Sequence, residues 1–131
     1  MIKMTPSGAL SPYYYKGGYF HGIHYGNYYD DEKGIMDMID KEEEFILKSP
    51  EMRRIMIDIY KTELSDKVVK RFVEHINAIR PRIVKLAIAT DKKGLHRLKH
   101  ALKKAGVIEL GICCFGTDME TDKTWLVSDE Y

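Results

Sequence analysis

Apolar side chains recur along this chain in two rhythms, one near two residues and one near 3.6, and the switches between them lay out a fold. Residues 13–16 and 19–25 are tyrosine-rich, strand-favouring runs on either side of Gly17-Gly18, a pair suited to a two-residue hairpin turn. Residues 31–48 place Ile35, Met38, Ile39, Phe45 and Ile46 largely on one side of a helical period, and Ser49-Pro50 ends that helix. Residues 55–60, IMIDIY, are nearly continuous apolar sequence, as in a strand covered on both faces. Ser65 then caps a second helix carrying Val68, Val69, Phe72, Val73, Ile76 and Ile79 at three- and four-residue spacing, which Pro81 stops. Residues 83–89 repeat the buried-strand pattern. Asp91 caps a third helix with Leu95, Leu98, Leu102 and Ala105 inward, and Gly106 stands where a left-handed C-cap is expected. Residues 107–115 read as the next strand. Thr117 and Glu120 have capping-box spacing for a short closing helix that buries Trp125 and Leu126.

The predicted order is β-β-α-β-α-β-α-β-α. Strands that alternate with helices require right-handed crossovers, which gives an α/β fold with a mixed, mostly parallel sheet covered by helices and the first strand as an antiparallel edge. Residues 1–12, with Pro6, Gly8, Ser11 and Pro12, read as an extended or poorly ordered, flexible lead-in, and 13–131 as a single domain.

Composition narrows the function classes. Twenty-one basic and 20 acidic side chains nearly cancel, so net charge gives no general attraction to nucleic acid or anionic lipid. No apolar run approaches the length of a membrane span, and the start lacks the apolar core of a signal peptide. The two cysteines, Cys113 and Cys114, are neighbours that would point to opposite faces of a strand; a mutual disulfide is disfavoured and a reducing, cytoplasmic setting is expected.

Two segments carry a resemblance. KSPEMRRIMIDIYKTELSDKVVKRFVEHI is similar to a strand ending in Asp-Leu-Ser followed by a loop and a helix that bears a regulatory serine, and CFGTDMETDKTWLVSD is similar to a Phe-Asp-Asp-Met-Glu-x-Ala-x-x-Trp-Leu ending. Both are features of STAS domains, the family of anti-sigma-factor antagonists, sulfate-transporter tails and small stand-alone bacterial proteins. The resemblance covers about residues 13–128 and implies a STAS-like fold, a partner-binding loop and helix, and a serine open to phosphorylation. Asp58 matches the strand-terminal aspartate; Ile59-Tyr60 replaces Leu-Ser, and the Ser-Gly-Leu that follows the regulatory serine is absent after Ser65.

Candidate chemistry is sparse. Ser65 is read first as a helix cap and second as a phosphate acceptor at a helix N-terminus. His21-x-x-His24 would put its rings on opposite faces of a strand, and His96 and His100 stand among lysines and Arg97 whose charges oppose a cation, so no metal is expected. Glu42, Glu43 and Glu44 fan around a helix as a solvated face. The cysteines lack a neighbouring base, and the Walker, dinucleotide-binding and Gly-x-Ser-x-Gly patterns do not occur. The expectation is a non-enzymatic STAS-like module, with neither catalytic residues nor cofactor. It engages a protein partner or small ligand through Asp58, Thr62, Ser65, Asp66, Lys67 and Arg71. The alternative is a carrier or sensor of a hydrophobic small molecule or lipid, held between the aromatic hairpin and the Met36–Met38 stretch of the first helix. A homodimer through an open sheet edge is compatible with either.

Overall fold

The computed structural model describes residues 2–129. Its centre is a five-stranded sheet in the order β3-β4-β5-β6-β7, formed by Tyr13–Tyr15, Gly18–His24, Arg53–Asp58, Ile83–Ala89 and Cys113–Gly116. β3 and β4 are antiparallel; β4 to β7 are parallel. Helices α1 (Glu32–Leu47), α2 (Asp66–Ile79) and α3 (Lys92–Ala105) make the crossovers, and α4 (Met119–Val127) closes the chain.

Because the parallel strands follow in sequential order, right-handed crossovers of one hand put all three connecting helices on one face. The core bears this out. Ile23, Ile55, Ile57, Leu86 and Ile88 pack with Ile35 and Ile39 of α1, Phe72 and Ile76 of α2, and Leu98 and Leu102 of α3, forming the front face. Strand alternation turns Phe20, Met56, Ala87 and Ala89 to the back face, where Leu126 of α4 meets them. Ser65 caps α2 by accepting the Val68 N–H at 3.3 Å, Asp91 caps α3 by accepting that of Gly94 at 2.7 Å, and Gly106 closes α3 at φ 64°.

Several expectations shift. The expected lead-in holds a small hairpin, β1 (Lys3–Met4) with β2 (Leu10–Ser11), and its Thr5 and Ala9 are buried. The tyrosine hairpin turns at Lys16-Gly17, one residue earlier than expected, because Tyr15 pairs with Gly18 and both turn residues take positive φ, 43° and 80°. Gly18 is needed for another reason: a Cβ there would stand 2.8 Å from that of Val127. β7 begins only at Cys113, since β6 offers it partners only from Leu86 to Ala89, and a 3-10 turn over Leu110–Ile112 precedes it. α4 is capped by Asp118, which accepts the Glu120 N–H at 3.0 Å, whereas the Thr117 carbonyl accepts a bond from the Tyr60 hydroxyl. In α3 Gly94 takes a buried place, while Leu95 is half-buried and Ala105 exposed.

Glu42 is the largest departure. Expected in solvent, it is fully buried on α1, where one oxygen accepts both the Ser7 N–H (2.9 Å) and the Ser7 hydroxyl (2.6 Å) and the other lies 3.3 Å from His21 Nε2. Burial pushes its pKa up, but the hydrogen bonds from His21 and Ser7 prevail and hold it below the usual carboxylate value. Glu42 thereby ties the amino-terminal hairpin to the sheet. The neighbouring Glu43 is held at about 2 by His75 and Arg71.

Candidate functional site

In a parallel sheet the carboxyl ends of the strands are where ligands gather, and here that rim is formed by His24, Asp58, Ala89 and Gly116. The six residues singled out from the sequence divide across it. Thr62, Ser65 and Asp66 line a notch of about 470 Å³ between the starts of α2 and α3, with Asp91, Lys93 and Arg97 opposite. Lys67 and Arg71 turn instead toward α1: Lys67 lies 4.0 Å from Glu32, and Arg71 holds Asp40 at 2.8 Å and Glu43 at 3.2 Å. Asp58 stands apart from all of them, on the back face.

The notch residues are already engaged within the chain. Thr62 donates to the Tyr25 carbonyl at 2.6 Å and accepts the Tyr28 N–H at 3.2 Å, which pins the β5–α2 loop. Asp66 pairs with Arg97. Ser65 donates to a Glu32 carboxylate oxygen at 2.7 Å. A phosphate on Ser65 would meet the carboxylates of Glu32 and Asp66 as well as Lys93 and Arg97 across the notch, so local charge neither favours nor excludes it.

A different arrangement occupies the back face. Parallel register sets Gly22 beside Met56 and His24 beside Asp58. With no side chain on Gly22, and with the amino-terminal hairpin lying opposite, a cavity of about 310 Å³ opens between that hairpin, β4, β5 and α4. A Cβ on Gly22 would come within 3.0 Å of that of Ala9. Ala9, Leu10, Tyr13, Phe20, Met56 and Met119 make the walls apolar, and the polar groups, His24, Asp58 and Lys123, are few.

Geometry fixes their states. His24 Nδ1 is hydrogen-bonded to Asp58 Oδ2, and its backbone N–H donates to the Ser7 hydroxyl at 2.9 Å. Among the described residues His24 Nε2 has no hydrogen-bond partner. The Asp58 bond raises the imidazole pKa above its usual value, and partial burial opposes this. Lys123 Nζ lies 5.7 Å and 5.8 Å from the ring centres of Tyr13 and Tyr15, and its nearest carboxylate, Glu120, is 4.0 Å away. Such a site can wrap an apolar body and hold one polar head.

A wider cleft of about 790 Å³ lies at the opposite end of the sheet. Its aromatic walls, Tyr14 and Tyr19, are exposed, and Arg54 there is bound to the carbonyls of Leu126 and Ser128 at 2.7 Å and 2.6 Å, fastening α4. The smaller cavity has the more apolar lining and few polar groups, which is why it is the candidate. Neither cysteine supplies a nucleophile at neutral pH, because burial pushes the Cys113 thiol far up and the Cys114 thiol to about 11. Among the described residues, no cluster of three or more histidine, cysteine or acidic side chains could hold a metal, and no helix is long and apolar enough to cross a membrane.

Asp58 and His24 were both visible in the sequence, one as a strand end and one as half of a spaced histidine pair. Their partnership was not, since it depends on the register of β4 against β5. Lys123, Met119 and residues 8–10 were missed; the available signal was the Pro6-Ser7-Gly8 turn followed by apolar Ala9-Leu10. Met36 and Met38 pack on the front face, away from the Phe20 side of the hairpin, so the pocket expected between them does not form there. Compared with family models, with curated proteins and with solved structures, the chain finds no match.

Proposed function

We propose that the protein is a small non-enzymatic binding module, STAS-like in its element order and working in a reducing cytoplasm, that holds a small amphipathic molecule in the back-face cavity. The observation that carries this is one half-open apolar cavity, walled by Phe20, Met56 and Met119, with a histidine of raised pKa and a lysine among its few polar groups. That combination, an apolar pocket with a few convergent polar groups, is the usual form of a small-molecule site. Its volume falls at the low end of the ~300–1,000 Å³ usual for such sites, so the ligand is small.

Native mass spectrometry of the purified chain tests this. A bound mass retained under native conditions, lost on denaturation and missing from a Met119→Trp variant that fills the cavity is the expected result. A clean unliganded mass, together with no thermal shift from octanoate, octanol or octylamine, contradicts it.

A second reading, docking of a protein partner, is favoured by the joint placement of Thr62, Ser65 and Asp66 around the front notch. Ser65→Asp separates the two: it abolishes partner recovery if the notch is the docking surface and leaves small-molecule binding intact.

A further inference from the structure

The charges around the back-face cavity specify more than an amphipathic guest. Resting on the binding reading above, we propose that the natural occupant is a carboxylic acid with a short apolar chain or ring. Its carboxylate lies between His24 Nε2 and Lys123 Nζ, and its tail lies against Phe20, Met56 and Met119.

Three observations converge on an acid. Asp58 is the cavity's carboxylate, and one of its oxygens is already taken by His24 Nδ1. Its charge offsets that of the imidazolium, which leaves Lys123 with Glu120 as its ion-pair partner. Glu120, the carboxylate nearest Lys123, is exposed and directs its other oxygen to the Tyr15 hydroxyl, so it competes weakly for the ammonium. Finally, the Asp58 bond fixes the imidazole with Nδ1–H toward Asp58, which makes Nε2 a donor only in the protonated ring. A carboxylate therefore gains its second hydrogen bond by stabilising the proton on His24, whereas an amine would meet Lys123 and, in the protonated site, a second cation.

Proton linkage follows with a definite sign. The charged groups facing His24 are Asp58 from β5, Glu42 from α1 and Lys123 from α4; the two carboxylates favour the imidazolium and the lysine opposes it. Binding of an ionised acid adds a further anion and takes up a proton where free His24 is neutral but bound His24 is protonated. Affinity for the carboxylate form is greatest below the His24 pKa and declines as pH rises through it.

The test is calorimetric titration of the intact chain with octanoate, octanol and octylamine across the His24 transition. We expect octanoate to bind at least about tenfold more tightly than octanol on the acid side, the size of one charge-assisted contact, and octylamine to bind least. Lys123→Met should remove about tenfold of the octanoate affinity with little change for octanol. His24→Gln should flatten the pH dependence, and Lys123→Arg should restore acid binding. Octanol binding as well as octanoate, with Lys123→Met indifferent, overturns the acid assignment and leaves the cavity reading standing. No binding by any of the three compounds, with Met119→Trp indistinguishable from the parent, overturns both.

Discussion

The two faces of the sheet are built differently. On the front, Ile23, Ile55, Ile57, Ile76, Ile88 and Phe72 have essentially no exposed surface, and three helices of 14 to 16 residues cover them. Polar groups there join into a chain: the Tyr25 hydroxyl meets His75 Nε2 at 2.8 Å, His75 Nδ1 meets Glu43 at 3.1 Å, and Glu43 meets Arg71. On the back, a nine-residue helix and a minimal hairpin must close the same sheet over Phe20, Met56, Ala87 and Ala89. Sequential winding puts the three crossover helices on one face and leaves the other to the amino-terminal hairpin and α4. The cavity lies between those two.

That contrast can be broken most severely from the front. Phe72→Ala should cost about 3–5 kcal/mol in denaturant unfolding, since the ring is fully enclosed and the space it leaves is dry. Met119→Ala, at the half-buried rim of the back cavity, should cost under about 1 kcal/mol. Equal losses would erase the distinction between a saturated face and an open one.

A smaller effect comes from Asp122 of α4, buried beneath Gly116, with Cys114 Sγ 3.5 Å from one oxygen and the other oxygen unpartnered among the described residues. Burial raises its pKa from 3.8 to about 6. A carboxyl whose folded pKa is raised binds its proton more tightly in the native state, so its ionised form weakens the fold above pH ~6. That loss is recovered as pH falls from ~6 toward ~4. Asp122→Asn should therefore add about 2–3 kcal/mol at neutral pH and remove that part of the pH dependence, as measured by thermal unfolding across the range.

The sequence revealed the front face more fully than the back for a physical reason. Periodicity reports which side of a helix or strand is apolar, and Val68, Phe72, Ile76, Ile57 and Ile88 state it without ambiguity. Local chemistry likewise revealed the caps at Ser65, Asp91 and Gly106. The back face and the amino-terminal hairpin depend on long-range pairing: His24 finds Asp58 across 34 positions, and Ser7 finds Glu42 of α1 across 35. Neither pair leaves a mark in local pattern, and a glutamate among glutamates reads as solvated until a hairpin is seen to cover it.

The proposed binding site is the back cavity, and not the front notch or the wide cleft. An amide chemical-shift map recorded while octanol and, separately, octanoate are titrated in tests it most directly. Binding in the back cavity should give the largest shifts at Gly8, Ala9, Leu10, Gly22, His24 and Met119, with Leu64, Ser65 and Gly94 still. Shifts centred on the α2–α3 notch or on Gly17, Tyr19 and Arg54, or none at saturating probe, would contradict it.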